Sequence, residues 1–270
     1  MNIFEVKDKV IVISGATGVL GSAMAKHLAK EGAIIGILGR TPAKNEKLYN
    51  EIKAEGNTSI ILEADVLDKA SLEKAFELLM SKYHKIDVLI NCAGGNVAGS
   101  VVQPQDTVFD MKMEDLSRAQ ELNITGTVLP TQIFGKQMAT QKFGSVINIS
   151  SMAAIQSISR VMGYSVAKSA IDGYTRWMAL ELASKYGDGI RVNAIAPGFF
   201  ISEQNRALLT EKDGSYTERG QKVINNTPMA RFGKADELLG AVQWLCSGAS
   251  SFVTGTVIPV DGGFSSFSGV

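Results

Sequence analysis

Apolar residues in this chain come in short unbroken runs, most of them followed by a turn and then by a stretch of helical spacing. The run at 9–14 shows no polar alternation, which marks a strand covered on both faces. Gly15, Gly18 and Gly21 follow it, and 22–32 then carries helical spacing up to a glycine stop at Gly32. The unit repeats. Strands are predicted at 33–38 and 59–63 around a Lys/Glu-rich helix at 43–54. A helix at 69–82 leads to a strand at 88–91, a helix at 114–140 to a strand at 145–150, and a helix at 162–186 to a strand at 191–195. After Pro197 and Gly198 the rhythm breaks through 199–233, before a helix at 235–247 and a last strand at 256–260. Alternating strands and helices predict right-handed crossovers and an α/β fold: a single domain over 1–270, built on one doubly wound parallel sheet with helices on both faces. The polar stretch 199–233 is expected to form a substrate lid over the carboxyl edge of that sheet.

Composition narrows the function. Lys+Arg and Asp+Glu are 27 each in 270 residues, so the formal net charge is zero. Phosphate-backbone and anionic-membrane binding both need an excess of cations, so nucleic acid and membrane are not expected partners. A hydrophobic fraction of 45% suits a folded globular chain. Two isolated cysteines, Cys92 and Cys246, make neither a disulfide framework nor a zinc site, and His27 and His84 have no ligand-spaced companions, so no metal is expected. With no basic, apolar leader at the start and no apolar run of about 18 residues, the expectation is a soluble cytoplasmic protein.

The glycine turn at 15–21 follows the first buried strand and opens the first helix. There a backbone can approach a pyrophosphate whose charge meets the helix N-terminus, so a dinucleotide site is expected. The second strand ends at Leu38-Gly39-Arg40-Thr41. A carboxylate at that end would bind the 2′-hydroxyl of NAD. Gly39 supplies none, whereas Arg40 with Thr41 suits a 2′-phosphate, so NADP is the preferred cofactor and NAD a possible one. The alternative is that Arg40 lies on the adenine or points to solvent, leaving the protein indifferent.

Tyr164 and Lys168 stand one helical turn apart on one face, where the ammonium is expected to lower the phenol's pKa into a range useful for acid–base work. Tyr49 and Lys53 have the same spacing but no strand end beside them. Ser150 and Ser151 end the fifth strand 13–14 residues before Tyr164, so a hydroxyl there can donate to a substrate carbonyl oxygen while Tyr164 supplies the proton.

Gly15 to Gly21, Asp65, Asn91-Cys92-Ala93-Gly94, Asn123, Ser151, Tyr164, Lys168 and Pro197-Gly198 resemble, in order and spacing, the short-chain dehydrogenase/reductase family. The resemblance runs from about residue 5 to Gly263 and implies one Rossmann-type domain binding NAD(P). It implies Tyr164 as acid/base, Ser151 orienting the carbonyl, Lys168 on the nicotinamide ribose, and Asn123 fixing a water in the proton relay. Asp65 would meet the adenine, with Val66 beside it. Asn91, Ala93 and Gly94 would line the cofactor, together with Gly15, Thr17, Gly18, Val19, Leu20, Gly21, Pro197, Gly198 and Phe200. Ser202 would stand near the carboxamide. The sequence departs from the family where Val19 holds a place usually given to glycine. The family's habit of forming tetramers implies a homotetramer built through the helices at 114–140 and 162–186 and the C-terminal strand.

Asn96, after the Asn91–Gly94 turn, and Arg206 in the lid are expected to touch substrate beside Ser151 and Tyr164. The lid also holds Glu203, Gln204, Asn205, Arg219, Asn225, Asn226 and Arg231, an inventory that suits a polyhydroxylated anion: amides for hydroxyls, an arginine for a carboxylate. Stretches at 150–154, at 196–200 with 203–206, and at 227–233, with the ending at 261–264 and 268–270, resemble the D-mannonate oxidoreductase (fructuronate reductase) branch of the family. They imply hydride transfer between D-mannonate and D-fructuronate. Competing readings are a gluconate 5-dehydrogenase-like or 3-oxoacyl thioester reductase and, from another class, a non-catalytic NAD(P) sensor. The sensor reading is disfavoured by the intact Asn123, Ser151, Tyr164 and Lys168.

Overall fold

The apolar runs form seven strands: β1 (Val10–Ser14), β2 (Ile34–Gly39), β3 (Ser59–Glu63), β4 (Val88–Asn91), β5 (Gly144–Ile149), β6 (Ile190–Pro197) and β7 (Val257–Val260). The computed structural model describes residues 2–201 and 205–269. Every strand pairing is parallel, in the order β3-β2-β1-β4-β5-β6-β7. The helices between them are α1 (Val19–Lys30), α2 (Pro42–Ala54), α3 (Lys69–Tyr83), α4 (Met113–Gln120), α5 (Gly126–Gln141), α6 (Met152–Ile155), α7 (Met162–Tyr186), α8 (Arg206–Leu209), α9 (Glu218–Asn225) and α10 (Leu239–Cys246).

Strand residues alternate between two cores. Ile11, Ile13, Ile35, Ile37, Ile90 and Ile147 pack with α1, α2 and α10, whereas Val10, Val12, Leu62, Leu89, Val146 and Val192 pack with α3, α5 and α7. This is the doubly wound arrangement expected of strands with no polar face. Chain order reverses where β1 lies against both β2 and β4, with Ser14 opposite Leu38 on one side and Asn91 on the other. A crevice opens at such a switch point, beyond the carboxyl ends of the strands.

Two elements differ from the sequence expectation. Residues 114–140 are not one regular helix: a π turn at Glu121–Thr125 separates α4 from α5. Within it, the Asn123 side chain donates to the Ala119 carbonyl at 2.8 Å. The stretch 199–233 is not structureless either. It carries α8 and α9, an antiparallel bridge between Thr210 and Tyr216, and the buried side chains Leu209, Val223 and Ile224. Trp177 is 58% exposed, because α7 turns toward the sheet through Ile171, Thr175 and Ala179. Among the described residues, no helix is long and apolar enough to cross a membrane.

Candidate active site

The glycine turn closes against the strand beside it. Gly15 has φ +64°, and a Cβ there would come within 2.8 Å of the Ala93 backbone. A Cβ on Gly21 would fall 2.3 Å from the Gly15 carbonyl oxygen, so the first turn of α1 can dock on the loop only because that carbon is missing. Gly18 is the N-cap of α1 and offers no side-chain cap, which leaves first-turn N–H groups free to meet an anion. Val19 opens the helix with its side chain 41% exposed, so valine is tolerated where the family has glycine. Thr17 and Leu20 are half-buried beside it. The Ser14 hydroxyl accepts from Cys92 N and Ala93 N at 3.1 and 3.2 Å, holding the loop after β4 against β1.

That loop is clamped from the other side by Asn123. Its Nδ2 donates to the Gly95 carbonyl at 2.9 Å and its Oδ1 accepts from Gly95 N at 3.0 Å. Gly94, at φ +152°, lies so close that a Cβ would stand 2.6 Å from Asn123 Oδ1 and 3.5 Å from Lys168 Nζ. Below the loop, Asn91 turns its side chain into the sheet, donating at 2.9 Å to both Thr131 Oγ1 and Asn148 Oδ1. Its amide braces β4 against β5 and α5, so the crevice beyond β4 is bounded by the backbone of Cys92, Ala93 and Gly94.

At the end of β2, Arg40 is largely exposed and pairs with Asp65 at 3.2 Å, bringing the two expected adenosine-end residues together. Thr41 caps α2 in extended conformation, and Val66 is buried against Gly126. Gly39 faces the buried Asn45, whose Nδ2 donates to the Gly39 carbonyl at 2.7 Å. At the far end, Gly198 N donates to the Val260 carbonyl at 2.9 Å, Pro197 is buried, and Phe200 packs into the core against Gly233. Ser202, with Glu203 and Gln204, lies outside the described residues. Asn96 and Arg206 are both exposed at the rim.

Ser151, read as a strand end, is the N-cap of α6, a four-residue helix the sequence pattern did not reveal. Its Oγ accepts from Ala153 N at 3.2 Å, which turns the hydroxyl proton away from that amide, and the side chain hydrogen-bonds with Tyr164. Lys168 is 4% exposed. Its Nζ donates to the Ile149 carbonyl at 2.7 Å and lies 5.5 Å from the centre of the Tyr164 ring. Burial pulls this ammonium down to about 8, with Cys92 and Asp172 acting in the opposite direction. The expected depression of the Tyr164 pKa is not what this geometry gives: burial pushes the phenol up from its ordinary value, and the Ser151 hydrogen bond is the group that opposes the rise. Tyr49 and Lys53 reproduce the spacing, with the ammonium 5.7 Å from the ring centre, but Lys53 is exposed and no strand end faces it. Burial pushes the thiols of Cys92 and Cys246 up to about 11 and about 12, so both are inert near neutrality.

The groups present fit a dinucleotide: a glycine cradle that a Cβ would fill, uncapped helix N–H groups, a loop held open by Asn123, and a buried cation beside a phenol. A family model described as enoyl-(acyl carrier protein) reductase matches residues 15–265. An uncharacterised oxidoreductase, UxuB, from Bacillus subtilis (strain 168) is 43% identical over 97% of this chain and 96% of its own length. The crystal structure of a proposed D-mannonate oxidoreductase from Haemophilus influenza, with bound NAD, superposes with a TM-score of 0.92 at 39% identity, covering 98% of both chains. A gluconate 5-dehydrogenase from Burkholderia cenocepacia J2315, in complex with NADP and tartrate, superposes at 0.86 with 29% identity and the same coverage. With its parallel sheet, its crevice at the strand-order reversal and these relatives, the chain belongs to the short-chain dehydrogenase/reductase family of NAD(P)-dependent oxidoreductases.

Proposed function

We propose that the protein interconverts a sugar-acid ketone and its secondary alcohol, with D-fructuronate and D-mannonate as the pair. The convergence of Ser151, Tyr164 and Lys168 at the carboxyl end of β5 carries the reading of the chemistry. The polar, arginine-bearing lid and the likeness to the Haemophilus protein support the choice of substrate. The cofactor, when bound, supplies or accepts the hydride at the reacting carbon. In reduction, Tyr164 gives its proton to the carbonyl oxygen while the Ser151 hydroxyl turns from the phenol to donate to that oxygen. Lys168, having spent one N–H on Ile149, keeps two for the ribose hydroxyls and places a positive charge by the ring. Asn123 holds the Gly94–Gly95 segment beside that ammonium. Thr17, Gly18, Val19, Leu20, Gly21, Ala93, Gly94, Pro197 and Gly198 line the cofactor crevice, with Arg40 and Thr41 toward a 2′-phosphate, so NADP is preferred.

The decisive assay follows oxidation of NADPH and NADH with fructuronate, other keto-sugar acids and a short 3-oxoacyl thioester, using Tyr164→Phe as control. Fructuronate turnover that falls by about 10²–10⁴ in the variant is the expected result. Turnover of the thioester alone would replace the substrate class. Silence with every carbonyl would return the protein to cofactor sensing.

The chain is further proposed to act as one unit, with 199–233 as its lid, and to assemble as a homotetramer. Val166, Trp177 and Leu180 are exposed on α7 at 45%, 58% and 68%, an apolar stripe that self-association would cover. Analytical ultracentrifugation is expected to show a tetramer that Trp177→Glu dissociates.

A further inference from the structure

At the loop that leads into α7, two arginines are held on adjoining contacts, and among the described residues no carboxylate pairs with either. Arg219, in the first turn of α9, donates through Nη1 to Ser159 Oγ and through Nη2 to the Ser159 carbonyl, each at 3.1 Å. Arg160, the next residue along that loop, donates through Nε to the Val102 carbonyl at 3.2 Å and through Nη2 to Gln103 Oε1. Its backbone is held at φ +77°, a left-handed conformation fixed in part by Val102 N donating to the Arg160 carbonyl at 2.8 Å. Three loops therefore converge here: the excursion after β4, the segment from Ser151 to the start of α7, and the lid.

Both guanidiniums are half-buried, and burial together with the charge of Arg160 pulls the Arg219 pKa down. Among the described residues, neither is within ion-pair distance of an acid, whereas Arg40, Arg118 and Arg231 are each paired with one. Each guanidinium carries five N–H donors and spends two on the contacts above, so three remain on each side. Two like charges held together at partial burial repel, and an anion seated between them relieves the repulsion and takes the spare donors. The loop that carries Ser159 and Arg160 runs from the end of α6, which Ser151 caps, to the start of α7, and Tyr164 stands four residues after Arg160, so such an anion would sit on the substrate side.

Resting on the sugar-acid reading above, we propose that Arg219, with Arg160 behind it, binds the carboxylate of the substrate and sets the preference for acids over neutral sugars. Arg206, exposed at the rim, is the competing candidate from the sequence, whereas Arg231 is neutralised by Glu237 at 2.7 and 2.5 Å.

The test compares kcat/KM for fructuronate with that for fructose, its uncharged analogue. In Arg219→Gln the acid-over-neutral ratio should fall about 10–100-fold, the weight of a charge-assisted contact. Arg231→Gln, which removes the same charge from the same lid, should leave the ratio where it was. A ratio unchanged in Arg219→Gln, or lost in Arg206→Gln instead, overturns the assignment. If the wild-type protein reduces no sugar acid, the proposed function fails on its own, and binding decides this one. Mannonate should then raise the melting temperature more than mannitol does, with the difference gone in Arg219→Gln; equal shifts from the two polyols would overturn it.

Discussion

The Ser150 hydroxyl donates to the Asp172 carboxylate, tying the residue before Ser151 to a helix position one turn beyond Lys168. Asp172 is 6% exposed. It faces Ser150, Arg176 and Lys168, and Lys168 in turn faces Cys92, Asp172 and the Tyr164 ring. Burial raises the Asp172 pKa, and the Ser150 hydrogen bond with the two cations works against the rise.

Asp172→Asn follows from that arrangement. Removing the carboxylate takes away one of the two influences that hold the Lys168 pKa up, so the ammonium should lose its proton at lower pH than the value of about 8 it has beside Asp172. The alkaline limb of the kcat/KM profile is expected to move toward neutrality, while the variant keeps its fold by near-isosteric replacement. An unmoved limb in a folded variant would show that Asp172 serves packing alone.

Lys168 itself should cost stability. Its folded pKa of about 8 lies below the ordinary 10.5, so between those values the unfolded chain holds a proton that the folded chain has released. Wild-type stability should therefore climb with pH across that window and be lowest, on this account, below it. Lys168→Met removes the slope and is expected to be the more stable protein at pH 7 by on the order of 1–3 kcal/mol, with no activity. Urea unfolding at pH 7 and near pH 10 checks both the gain and its disappearance.

Gly94→Ala tests the clamp. The new methyl would stand 2.6 Å from Asn123 Oδ1, and that amide is pinned by Gly95 on two sides and by the Ala119 carbonyl. The loop must yield instead, at a cost of about 1–3 kcal/mol, and binding of NADPH should weaken by at least tenfold. Gly56→Ala is the reference for strain without a clash, since its φ of +79° is equally unsuited to alanine but nothing lies within 4 Å. Its effect should be confined to stability.

Strand positions, the glycine turn at 15–21 and the Tyr164–Lys168 turn were readable because each leaves a periodicity or a spacing. What escaped reading leaves neither. The π turn at Glu121–Thr125 shifts a hydrogen-bond register without breaking the apolar pattern around it. Ser151 as the cap of α6 depends on backbone beyond a strand end, and a four-residue helix is too short to show a period. Arg219 gave no local sign of its partner, because Ser159 lies 60 residues away and Arg160 is held at a positive φ that arginine has no intrinsic tendency to adopt. Asn91 looked like a cofactor contact in sequence, yet its amide faces Thr131 and Asn148, contacts that only the stacking of β4, β5 and α5 creates.

Cofactor choice rests on how the end of β2 is built. A Cβ on Gly39 would lie 2.5 Å from Asn45 Oδ1, a buried acceptor with no hydrogen-bond partner. An aspartate placed there to hold the NAD ribose would push an acceptor against an acceptor, and Asn45 cannot swing away without giving up its bond to the Gly39 carbonyl. Gly39→Asp alone should therefore lower the melting temperature without creating a preference for NADH. Paired with Asn45→Ala, the carboxylate gains room, and the NADPH-over-NADH ratio of kcat/KM should fall by more than tenfold, below that of Arg40→Ala. Arg40 is largely exposed and held by one ion pair to Asp65, so its removal should cost NADPH about tenfold and NADH little. If Arg40→Ala reduces both cofactors equally, Arg40 lies on the adenine and the preference for the 2′-phosphate is wrong.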